Sequence, residues 1–189
     1  MPLYTSSASL PVPASGQYFF PLSLQSQSTA VTLGNGTLRL APWLVTRPLA
    51  LSKIGTEVTV IGDVGSKLRL GIYADNGNAY PGSLVVDAGQ IAGDSATAQE
   101  LTISQTLAPG VYWIGGAVQA VTTTQPTVRV LNVDWDPALA IPMGTTLASV
   151  TNVTGAGFSQ ASVTGALPST FTSTVTPTGN VPRLLMKVA

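Results

Sequence analysis

The chain has 189 residues, of which 44% are hydrophobic and only 8% charged, with eight Lys and Arg balancing eight Asp and Glu and with neither Cys nor His. Lacking Cys, it has no disulfide scaffold, thiolate metal site or Cys nucleophile; lacking His, it has no Ser-His-Asp triad and no imidazole zinc site. The bases are scattered from Arg39 to Lys187, which excludes the clustered phosphate contacts of a nucleic-acid binder.

Residues 1–16 (MPLYTSSASLPVPASG) are rich in Pro, Ser and Ala, and Pro11 and Pro13 favour an extended arm. An arm laid across a neighbour and a free tail both fit this composition. The segment has no basic stretch followed by a continuous apolar one, so no secretory signal is expected. Without export, the formal sequons at Asn35 and Asn152 carry little meaning. No run approaches the roughly 18 apolar residues of a membrane span, so membrane insertion is not expected.

From residue 17 the pattern is strand and turn. TLRLAPWLV (37–45) reads as a strand expected to bend at Pro42, which has no N–H for a ladder. In KIGTEVTV, Ile54, Val58 and Val60 share one parity, and in KLRLGI, Leu68, Leu70 and Ile72 alternate with polar or small residues, as a strand with one buried face requires. SLVVDAG (83–89) and GVYWIGGAV (110–118) are apolar on both parities and predict strands buried on both sides or at an interface. ELTIS, TVRVL and the C-terminal run from Arg183 to Ala189 alternate again. Asn-Gly, Gly-Asp and Pro-Gly pairs separate these runs and supply the backbone angles of tight turns. No window has a helical period with i to i+4 charge partners. The expectation is an all-β, antiparallel two-sheet β-sandwich of jelly-roll type, with eight to ten strands over residues 17–189 behind the arm.

Residues 137–182 differ, being rich in Thr, Ser and Gly with few charges. A structureless loop of that length is abnormal in a compact domain. Two or three irregular strands, around ASVTNVTG and STFTSTVT, are expected there, packed on the sandwich or on a neighbouring subunit.

Two constellations could carry chemistry. Asp75-Asn76-Gly77-Asn78 offers three oxygen-bearing side chains, but no bidentate acid follows at calcium-loop spacing, so an Asx turn or hairpin is favoured over a metal site. Tyr73 and Tyr80 flank this turn and make its rim a candidate glycan contact. Asp134-Trp135-Asp136 sets an indole between two carboxylates. On a strand these acids point the same way about 7 Å apart. A turn with a packed indole is the first reading, glycan contact the second, and a glycosidase pair the least favoured because no second acid cluster supports it. Trp43, Tyr112 and Trp113 lie in apolar strands and are read as core or interface. Gly34-Asn35-Gly36 and Gly115-Gly116 neither open a helix nor precede a P-loop Lys, and are read as a turn and as close strand packing. The chain is expected to be non-enzymatic and free of metals and cofactors.

The stretch KLRLGIYADNGNAYPGSLVVDAGQI, followed by ELTISQTLAPGVYWIGGAVQ, resembles a module of tail-fibre, head-fibre and related structural proteins of tailed bacteriophages. TLRLAPWLVTRPLALSKIG fits its preceding strands. The likeness covers residues 37–131, about half the chain, and residues 137–182 fall outside it. It implies a displayed β-sandwich in a virion, as a fibre, capsid decoration or spike, partnered with copies of itself and with capsid or tail proteins, and placed to touch host surface polysaccharide during host adsorption. Bacterial carbohydrate-binding and adhesion sandwiches share the pattern and form the alternative reading. Independently, a surface of Thr, Ser, Gln, Asn and Gly at zero net charge repels its own copies weakly and predicts an oligomer.

Overall fold

A computed structural model describes residues 13–19, 21, 27–132, 155, 157–173 and 179–189. Among them there is no helix, and twelve strands form two antiparallel sheets. The first sheet is built on β2 (Gln27–Thr32), β4 (Leu49–Val60), β7 (Ala98–Leu107) and β9 (Thr127–Asn132). The second is built on β3 (Leu38–Val45), β5 (Lys67–Asp75), β6 (Pro81–Ala92) and β8 (Gly110–Gln119). Their pairings are nested: β5 with β6, β4 with β7, β3 with β8 and β2 with β9. The short strands β1 (Tyr18–Phe19), β10 (Phe158–Gln160), β11 (Asn180–Pro182) and β12 (Leu185–Val188) complete the sheets.

Between the sheets lies a mainly aliphatic core that also takes in Trp43. Leu68, Leu70 and Ile72 of β5 are fully buried there with Ile54, Val128 and Val130. Each such side chain contributes about 1.5–3 kcal/mol relative to exposure. Alternation along β4 is interrupted: its pairing with β7 shifts between Leu51 and Lys53. That bulge lets Leu51 and Ile54, three residues apart, both face inward. Val60 departs from the expected parity and is 55% exposed, because the β4–β9 pairing shifts after Val58 and ends there. The expected bend at Pro42 does not interrupt pairing, since β3 and β8 stay in one register from Leu38 to Val45. Proline is tolerated because β10 covers only residues 38–40, leaving Pro42 on an edge.

β4 and β9 pair only near Val58 and then part. The C-terminal segment fills the fork, β11 pairing with β9 and β12 with β4. Thr56, buried at the fork, donates its hydroxyl to the Arg183 carbonyl at 2.7 Å, and the Arg183 N–H donates to the Arg129 carbonyl at 2.9 Å. The N-terminal arm, described from Pro13, turns at residues 15–16 and donates the Gly16 N–H to the Val188 carbonyl before β1 pairs with β12.

A second core lies on the opposite face of the β3-β8-β5-β6 sheet. Residues 157–173 cross this face as a strap, with β10 added to β3. Phe158, Val163, Leu167 and Phe171 of the strap pack against Leu38, Leu40, Tyr73 and Trp113 of the sheet. This accounts for GVYWIGGAV, whose Ile114 and Val118 face the inner core while Trp113 and Ala117 face the strap. The strap is mostly irregular rather than stranded, and its strand among the described residues falls at 158–160. Most of ASVTNVTG and the end of STFTSTVT lie outside the described residues; in the described part of the latter, residues 169–173, there is no strand and Thr170 forms a bridge to Ser83.

Candidate functional site

The turn after β5 satisfies itself. The Asp75 Oδ1 accepts the N–H groups of Gly77 and Ala79 at 2.7 and 3.2 Å, and Asn76 Oδ1 accepts that of Asn78 at 2.9 Å. The second oxygen of Asp75 accepts the indole N–H of Trp113 at 2.9 Å. Asp75 is thus committed to the turn and to the core, and the arrangement is an Asx turn. Among the described residues no three His, Cys, Asp or Glu side chains converge as metal ligands.

The rim residues separate by position. Asn76 and Asn78 are exposed. Tyr73 is fully buried and donates its hydroxyl to the Pro168 carbonyl at 2.9 Å. Burial, and next the charge of Asp87, pushes its phenol well above the ordinary range. Its ring is part of the floor beneath the strap and offers no face to a glycan. Tyr80 is half-buried, its ring 4.3 Å from Phe158 and 5.7 Å from Phe171, and burial raises its phenol too. Of the five rim residues expected from sequence, the two asparagines are exposed, Asp75 and Tyr80 are half-buried and Tyr73 is buried. Asp134, Trp135 and Asp136 lie outside the described residues.

The other carboxylates tell the same story. Asp63 accepts the N–H groups of Thr122, Thr123 and Thr124 and the Thr122 hydroxyl, all within 3.0 Å. These donors, the Thr123 N–H foremost, hold it well below the usual carboxylate range. The cage ties the β4–β5 turn to the β8–β9 turn. Glu57 closes the fork by pairing with Arg129 and Arg183, each at 3.2 Å, and the Arg129 hydrogen bond lowers it. Asp87 anchors the strap: it pairs with Arg69 at 2.8 Å and accepts the Leu167 N–H at 3.1 Å. Burial disfavours its charge, but Arg69 and the Leu167 and Gly89 N–H groups outweigh that and lower it overall. Glu100 is lowered by Lys53 and then by the Tyr18 hydroxyl that donates to it. Asp94 accepts the Gly65 N–H at 2.7 Å. All six described side-chain carboxylates therefore hold backbone or a cation.

Sequence reasoning did not single out Asp63, Asp87 or Gln119. Gln119 is 1% exposed, donates to the carbonyls of Val163 and Gly165 at 2.8 Å and accepts from Gln90. The one available signal was an amide in the otherwise apolar GVYWIGGAVQ, at the point where β8 ends. An open cleft of about 340 Å³ runs between β6 and β7, lined by residues 85–88 and 102–105. Its acid, Asp87, is already paired, so its chemistry is that of a polar groove. No known family model and no curated protein matches this chain.

Proposed function

We propose that the chain is a non-enzymatic structural protein of a tailed-bacteriophage virion, a fibre or a capsid decoration, built on a jelly-roll sandwich. The nested pairing of β2 with β9 inward to β5 with β6 supports the jelly-roll reading, because a long antiparallel ribbon rolled into two sheets has that order. The observation that carries the functional reading is the commitment of every described carboxylate to hydrogen bonds within the fold. Without His, Cys or a free acid, these residues have nothing with which to shuttle a proton at neutral pH. What is left is a two-sheet body with a sparsely charged surface, suited to assembly and display. The exposed Asn76 and Asn78 beside Tyr80 are the part of that surface suited to weak contact with a host polysaccharide.

Immunogold electron microscopy of tailed-phage particles produced by cells carrying the gene tests this directly. Label on fibres or on the capsid is the expected result. Label confined to the bacterial envelope, with bare particles, assigns the chain to the alternative, a bacterial carbohydrate-binding or adhesion module.

A further inference from the structure

An open strand edge is a template for pairing, and proteins normally shorten, charge or cover their edges. Most edges here are managed in that way. β1 and β2 are two and six residues long. β3 is covered by β10 and then carries Pro42. β6 is closed at its start by the strap, where the Leu84 N–H donates to the Ser169 carbonyl. At its end, the Gln99 amide brackets the N–H and carbonyl of Ala92.

β7 is not closed in this way. Its ten residues pair with β4 on one side, and on the other no strand pairs with it among the described residues. Thr97 and Gln105 side chains reach the carbonyls of Ala98 and Thr106, near its two ends. From Leu101 to Leu107 there is no charge, proline or glycine. The strand's single charge, Glu100, is already paired with Lys53. Beside this edge Leu101 and Ile103 are only half-buried against the core, as is Val85 across the cleft.

We propose that β7 is a dimerisation edge, at which the β7 of a second copy adds antiparallel about a two-fold axis and joins the two first sheets into one. A two-fold contact requires a self-complementary surface, and the uncharged stretch 101–107 set antiparallel to itself meets that condition without bringing like charges together. Zero net charge on each chain removes long-range repulsion. Ladder bonds would satisfy the main-chain groups that no described strand pairs, and the half-buried Leu101 and Ile103 would lose their remaining exposure. This inference does not depend on the chain belonging to a virion.

The test is sedimentation velocity of the full chain over a concentration series, with hydrogen exchange of the β7 amides. Wild type is expected to be a dimer whose amides on the free side of β7 are protected. Thr102→Lys with Ser104→Lys places like charges on the exposed face across the axis and should weaken the dimer on the order of a hundredfold, with an unchanged circular-dichroism spectrum. Val64→Lys, on the 96% exposed tip of a distant turn, should leave the dimer intact. A monomeric wild type overturns the proposal, including one with protected β7 amides, which would mean that the chain covers its own edge. A dimer dissolved by Val64→Lys but not by the double variant also overturns it.

Discussion

The two faces of the β3-β8-β5-β6 sheet are buried by different means. The inner face meets another sheet, and its side chains are mainly aliphatic and periodic, Leu68, Leu70, Ile72, Ile114 and Val118, with Trp43 and Tyr112 as its aromatic members. The outer face meets a strap that is mostly irregular, and its core is aromatic: Tyr73 and Trp113 against Phe158 and Phe171. A strap with little ladder of its own must have its backbone satisfied one group at a time. Gln119, Asp87, Tyr73 and the main chain of Gly36, Gly82 and Leu84 supply those bonds. Regular structure holds one core together, while buried polar side chains fasten the other.

The largest effect is expected where both cores share a backbone. A Cβ at Gly115 would sit 1.8 Å from the Arg39 carbonyl oxygen, so β3 and β8 could not remain paired. Gly115→Ala should cost about 3 kcal/mol or more and abolish cooperative folding, read as loss of a thermal transition. Next come cavities. Ile72→Ala in the inner core and Leu167→Ala in the outer should each cost about 2–5 kcal/mol, measured by urea unfolding. The comparison is sharpened by limited proteolysis: Leu167→Ala should admit cleavage within 157–173 before global unfolding, whereas Ile72→Ala should not. Equal protection of the strap in both variants would merge the two cores into one cooperative unit.

Gln119→Ala strands the Val163 and Gly165 carbonyls and should cost about 1–3 kcal/mol, with Val163 and Leu167 amides exchanging faster while β5 amides are unaffected. The smallest effect at neutral pH belongs to Asp63→Asn, which keeps one acceptor oxygen. Its signature is in the pH dependence. Folded Asp63 titrates below its unfolded value, so its contribution is present above the unfolded carboxylate pKa of about 4 and is lost as pH falls through the lowered folded value. Wild type should therefore lose stability in acid more steeply than the variant, as measured by thermal melts across that range.

The inner core was legible in the sequence because alternation exposes a one-sided strand, as at Leu68, Leu70 and Ile72. The apolar parity of both faces of GVYWIGGAV signalled a second cover. The identity of that cover was not legible, because Phe158, Val163, Leu167 and Phe171 follow no period in a Thr/Ser/Gly background. Pro42 suggested a bend because sequence cannot distinguish an edge strand from a central one, and an edge tolerates proline. At the candidate rim, the turn itself was written in Asp75-Asn76-Gly77-Asn78. The burial of Tyr73 was not, since its parity could be assigned to solvent until a strap was known to lie over it. Asp63 looked like an ordinary turn acid because its three backbone donors lie about sixty residues away.

The account rests on ionisable side chains being used to hold the fold, and carboxyl-carbon NMR titration of the folded chain reads that property at each residue. Glu57, Asp63, Asp87 and Glu100 are expected to titrate below the ordinary carboxylate range, Asp63 lowest. A value displaced upward toward neutrality at any of these four would mark a carboxyl kept ready to exchange a proton and would contradict the account.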